Sequence, residues 1–129
     1  MQKRHKRMDI WLLSMGLVED IYGLTQSFPH EERFGLVSQM RRCAVSIPSN
    51  IAEGAARNSD KDFIRFLVIA RGSLMELDTQ LIISRRLGYL VLSPALEEKV
   101  EHVFAKINAL ITTLKRSQGS EEKRLPSPV

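Results

Sequence analysis

The sequence predicts an all-α fold, a four-helix bundle. Three observations lead there: apolar residues recur at intervals of three and four in four segments, almost no stretch alternates with period two, and proline, glycine and serine punctuate the joints. At 129 residues, 43% hydrophobic and 26% charged, the chain suits one compact domain with a core of its own. The reading divides it into a basic arm over 1–7, the bundle over 8–116 and a tail over 117–129 that lacks periodicity and is expected to be disordered.

The first helix is predicted from Met8 to Gln26, with Trp11, Met15, Val18 and Tyr22 on its inner face, stopping before Phe28-Pro29. The second begins near Pro29 to Glu32, where proline and two glutamates suit a first turn, and runs to Glu53. Leu36, Met40, Cys43, Ile47 and Ile51 form its stripe, Pro48 is expected to kink it, and Gly54 is expected to end it in a left-handed conformation. Ser59 with Asp62 has capping-box spacing and opens the third helix. There Phe63, Leu67, Ala70, Leu74, Leu77 and Leu81 keep a core rhythm of four and three. Ser93-Pro94 opens the fourth, whose stripe is Leu96, Val100, Val103, Ile107, Leu110 and Leu114. Short connections between such helices imply antiparallel neighbours in an up-down-up-down order.

The third helix carries a second apolar row, Ile64, Val68, Met75 and Ile82, about 100° to 120° around from the first. One core does not need two rows, so either the fourth helix covers both or, the preferred reading, these four residues contact another copy of the chain.

Charge is unevenly placed. Residues 1–7 hold four bases and no acid, 8–32 five acids and no Lys or Arg, and 33–86 nine bases against five acids, within a net charge of +4. Arg41, Arg42, Arg57, Lys61 and Arg65 fall on neighbouring parts of the second and third helices, a candidate site for nucleic-acid phosphates. Glu53 lies beside the apolar stripe and calls for a base, Arg41, Arg57 or Arg71; Arg71 is the partner assigned in a structural ion pair.

Catalytic and metal chemistry find little support. His5, His30 and His102 have no second ligand one helical turn away, so no metal or other cofactor is expected. Cys43 sits on a core stripe and reads as packing, and Gly54 is not followed by the Lys-Ser/Thr pair of a phosphate loop. An enzyme is not expected. The basic start is not followed by an uninterrupted apolar run, since Glu19 and Asp20 break it, and no stretch has the roughly 18 apolar residues of a membrane span. With one cysteine and no disulfide, a cytoplasmic protein with no membrane contact is expected.

The run from Leu36 to Gly54, with Ser46-Ile47-Pro48-Ser49-Asn50-Ile51-Ala52-Glu53-Gly54 at its end, resembles the central signature of the four helix bundle protein family, also called the 23S rRNA intervening-sequence protein family. The similarity extends through Phe63-Ile64-Arg65-Phe66-Leu67, Ala70 to Leu77 and Leu87-Gly88-Tyr89-Leu90, and covers about residues 9–114. It departs at Leu12, where a polar residue is common, and at Cys43, where alanine is more usual. The resemblance implies a left-handed bundle assembled as a ring, typically a pentamer, and no catalytic residue. A more distant resemblance, to the accessory variability determinant of diversity-generating retroelements, implies binding of nucleic acid and of a reverse transcriptase. Two functions follow as expectations: a homo-oligomer that binds structured RNA or DNA, or a scaffold for a protein partner without nucleic-acid binding of its own.

Overall fold

A computed structural model describes residues 4–124. Within them the chain forms four α-helices and no strand: α1 (Asp9–Thr25), α2 (Leu36–Ala55), α3 (Asp60–Arg86) and α4 (Pro94–Arg124), with short 3₁₀ turns at Arg4–Arg7 and His30–Glu32. Around the core α1 packs on α2, α2 on α3, α3 on α4 and α4 on α1.

Local chemistry sets the boundaries. Ser59 caps α3 by accepting the Asp62 backbone N–H at 3.1 Å, and Ser93 caps α4 by accepting that of Leu96 at 3.1 Å. α3 ends at Gly88, whose φ of +79° is the left-handed conformation a side chain resists. Gly88 N–H donates to the Arg85 carbonyl at 3.0 Å and Tyr89 N–H to that of Ser84 at 2.9 Å, closing a Schellman motif. Tyr89 then packs on Phe28 at 5.5 Å between ring centres.

The core stripe of α3 is as expected: Phe63, Leu67, Ala70, Leu74, Leu77 and Leu81 are all buried. Met40, Ile47 and Ile51 of α2 and Val103 and Ile107 of α4 meet them, each such burial worth about 1.5–3 kcal/mol over an exposed position. In α4 it is Ile111, more than Leu110, that completes the row.

Four expectations need correction. First, α1 buries a different face. Ile10, Ser14, Leu17, Ile21 and Thr25 point inward, whereas Met15 and Tyr22 are exposed and Trp11 and Val18 lie at the margin. The two buried hydroxyls are tolerable because each donates to a carbonyl one turn back, Ser14 to Trp11 at 2.8 Å and Thr25 to Ile21 at 2.7 Å. Second, Gly54 does not end α2 in a left-handed conformation; it lies within the helix, buried against α3. Third, α2 starts at Leu36, because the segment from Pro29 forms only a 3₁₀ turn before Gly35 breaks it. Fourth, α4 runs on to Arg124 rather than stopping near residue 116. A helix once nucleated propagates without an apolar stripe, and Gln118, Glu121, Glu122, Lys123 and Arg124 are good helix formers that offset Gly119. Residues 1–3 of the basic arm and 125–129 of the expected tail lie outside the described residues.

Contacts between helices fix their mutual register. From α2 to α3, Ser84 Oγ meets Met40 Sδ at 3.4 Å, Cys43 Sγ donates to the Ser73 carbonyl at 3.3 Å, and Gly54 abuts Phe66. Asp20 and Asp9 of α1 pair with Lys99 and Lys106 of α4 at 2.6 and 3.4 Å. Arg71 and Arg85 of α3 meet Asn108 and Glu97 of α4 at 2.8 and 3.9 Å.

Candidate nucleic-acid interface

The five bases expected to act together divide into two groups. Arg41 precedes the end of α2 at Ala55 by fourteen residues, roughly 21 Å at about 1.5 Å of rise per residue, and Arg57 lies beyond that end.

One group lies at the α2–α3 junction. Arg57 is in the turn between the helices, so its four-residue spacing to Lys61 is not a helical one. It joins Arg65 because both guanidinium groups stack near the Phe66 ring, at 4.9 and 5.2 Å from its centre. Arg4 arrives from the N-terminal 3₁₀ turn and stacks on Phe63 at 5.2 Å. Much of this charge is already balanced: Arg57 pairs with Glu53 at 3.0 Å and Arg65 with Asp62 at 3.9 Å. Lys61 is exposed beside them.

The Glu53–Arg57 contact corrects the expected ion pair of Glu53 with Arg71. The Glu53 side chain is 56% exposed, so the buried carboxylate that demanded a core partner does not exist. Arg71 donates instead to Asn108 Oδ1 at 2.8 Å, tying α3 to α4.

The other group surrounds the start of α2. Arg41 Nε donates to Thr25 Oγ1 at 2.9 Å, Nη2 to the Tyr22 carbonyl at 3.3 Å, and the guanidinium lies 4.5 Å over the Tyr22 ring. Arg33 stacks at 5.5 Å on Phe34, a residue that is 88% exposed. Arg42 is exposed next to them, and with Tyr22, Phe34 and Val45 these arginines border a groove of about 450 Å³. Among the described residues no carboxylate lies within 4 Å of the charged nitrogens of Arg33, Arg41 or Arg42. Sequence reasoning missed Arg33 and both aromatics, since they come from two segments outside α2, the end of α1 and the link that precedes α2. The Arg33-Phe34 dipeptide in a proline-led turn is the signal that was present.

Residues 6–115 match the model of the 23S rRNA-intervening sequence protein family. The chain belongs to that family. The match confirms the resemblance carried by Leu36 to Gly54 and spans all but the end of the helical region described above. No curated protein matches the chain.

In this family member the second row of α3 is only partly outward. Val68 and Met75 are 41% and 38% exposed and, with Phe104, line a groove of about 420 Å³ between α3 and α4. Ile64 packs on the core and Ile82 is half-buried. Among the described residues no three His, Cys, Asp or Glu side chains gather as a metal would require, and no helix is long and apolar enough to cross a membrane. Cys43 is buried, and that burial, with Glu76 close by, pushes its thiol up to about 12.

Proposed function

We propose that the chain is a non-enzymatic homo-oligomeric bundle that binds structured RNA or DNA by its phosphates, its principal contacts being Arg41 and Arg42 together with Arg33. The observation that carries this reading is the uncompensated charge: three guanidinium groups share one surface and, among the described residues, have no carboxylate within 4 Å. Arg57, Lys61 and Arg65 form a secondary contact, weaker because Glu53 and Asp62 already partner two of them. None of these side chains reads a base; each meets a phosphate.

The proposed assembly is a ring of five antiparallel, up-down-up-down, left-handed bundles. The antiparallel order draws support from the register, since partners on α3 fall from Ser84 to Phe66 as α2 rises from Met40 to Gly54. Exposure of Val68 and Met75 supports a contact between copies through the row that includes Ile64 and Ile82. The number five and the handedness rest on the resemblance alone.

Filter binding against duplex and structured RNA from low to moderate salt tests the function. Replacing Arg41 and Arg42 with Gln is expected to weaken binding about equally across sequences and to make the salt slope shallower by nearly two counter-ions. Absence of binding by the assembled protein at the lowest salt refutes the proposal and leaves the scaffold reading, with a protein partner such as a reverse transcriptase.

A further inference from the structure

Phosphate contacts alone do not account for the aromatic rings in the arginine groove. We infer that this groove is a stacking site for unpaired bases of single-stranded nucleic acid, with Phe34 as its platform and Tyr22 beside it; the inference rests on the phosphate-binding reading and adds the kind of strand that is bound.

Phe34 stands in the short link between the 3₁₀ turn and α2, and at 88% exposure the residue packs on little among the described residues. Its contact is the Arg33 guanidinium at 5.5 Å, which leaves most of the ring surface to solvent. Tyr22, 42% exposed, is held by Arg41 in the same manner from the end of α1. An aromatic face flanked by cations is what a nucleotide recognises, because the base stacks on the ring while its phosphates meet the guanidinium groups. The groove's volume of about 450 Å³ is within the range, about 300–1,000 Å³, in which protein surfaces hold groups of nucleotide size.

The charge favours an anionic partner, and the rings distinguish among anionic ones. In a duplex the base faces are already covered by their neighbours and present no plane to Phe34. An acidic peptide satisfies the arginines but has no use for an exposed ring. A single strand uses both features.

Fluorescence anisotropy with labelled ten-nucleotide oligo(U) and oligo(A), set beside a duplex of equal length, tests the assignment on the full chain in its native assembly. Phe34→Ala removes an exposed ring and is not expected to alter folding. It should weaken single-strand binding about 5- to 100-fold and leave duplex binding unchanged. Phe34→Trp should restore binding, with quenching of indole emission beyond that of Trp11 when the oligonucleotide is added. The inference is overturned if Phe34→Ala changes neither ligand, if it weakens both equally, or if it changes the size of the assembly, which would place the ring between copies. Binding of an oligo-glutamate peptide with the same dependence on Phe34 also overturns it, in favour of a protein ligand. If the unaltered protein binds neither RNA, the phosphate reading fails along with this one; duplex binding with single-strand binding insensitive to Phe34 sinks the groove alone.

Discussion

Gly54 of α2 lies so close to Phe66 of α3 that a β-carbon placed on it would stand 2.8 Å from the Phe66 Cβ and 2.9 Å from Phe63 Cδ1. The Phe66 Cβ is fixed to its backbone, so the helices would have to separate to admit even a methyl group. The same position draws Phe66 under Arg57 and Arg65, linking the closest helix approach to the basic cluster at this end.

Gly54→Ala is therefore expected to destabilise the fold despite the better helix propensity of alanine. Overpacking costs about 1–3 kcal/mol and the propensity gain returns about 1, so a net loss of up to about 2 kcal/mol is expected. Urea denaturation followed by circular dichroism measures it, and an unchanged or raised midpoint would show that α2 and α3 part without cost.

The helices were legible in the sequence to different degrees, for physical reasons. The α3 stripe was readable because Phe63 to Leu81 keep an unbroken spacing of four and three for five turns. The α1 face was not, because Trp11, Leu12, Leu13, Met15, Leu17 and Val18 make that helix apolar nearly all round, and periodicity then selects no direction. Its true face includes Ser14 and Thr25, disguised as polar until their hydroxyls are seen bonding carbonyls within the helix. Gly54 at the end of an apolar stripe reads as a terminator, and only the tertiary contact reveals it as a point of close approach. The basic site needed three dimensions: spacing along one chain does not reveal that Arg41 reaches Tyr22, or that Arg57 and Arg65 share a ring.

Gly88→Ala tests the other special glycine. Its φ of +79° is strained for any residue with a β-carbon, and the Schellman bonds that it permits close the C-terminus of α3. A loss of about 1 kcal/mol is expected, with Gly88→Asn costing less because asparagine tolerates the left-handed region better. Equal stability of the alanine variant in thermal unfolding would count against this role.

The Cys43 thiol gives a pH signature. Its pKa rises from 9.0 in the unfolded reference to about 12 in the fold, because burial and the nearby Glu76 carboxylate disfavour the thiolate. The unfolded chain therefore releases this proton first. The contribution to stability is fully present below pH 9 and is lost progressively between about 9 and 12. Cys43→Ala should flatten the alkaline decline across that interval relative to the unaltered protein. Ellman's reagent at pH 8 should label the native thiol only as fast as the structure opens, whereas immediate labelling would contradict the burial.

Lys99 and Asp20 join α4 to α1 at 2.6 Å, with side chains 36% and 37% exposed. Exposure of that degree leaves the pair partly screened, so its contribution is expected to be no more than about 0.5–1 kcal/mol. Lys99→Met, which keeps the aliphatic stem, should lower the urea midpoint slightly at low ionic strength, and the difference should shrink in 1 M salt. A large, salt-independent loss would show that the lysine acts by packing.

Met75 separates assembly from folding. At 38% exposure in the isolated chain it can accept a carboxylate that reaches solvent, so Met75→Glu should cost the single bundle less than about 1 kcal/mol. In an interface between copies the same carboxylate loses its water without gaining a cation. Arg71, the nearest base lining that groove, is already committed to Asn108 at 2.8 Å. The cost there rises to several kcal/mol per contact, repeated at every junction of a ring. Light scattering coupled to size exclusion should therefore show the unaltered chain as an oligomer and Met75→Glu as a folded monomer, with its helical circular dichroism retained. Glu76→Gln, one residue along and outside that groove, serves as the control that should leave the size unchanged. A Met75→Glu protein that keeps the oligomeric mass removes this face from the interface, and one that loses its helical signal would place Met75 in the core, against its exposure in the fold.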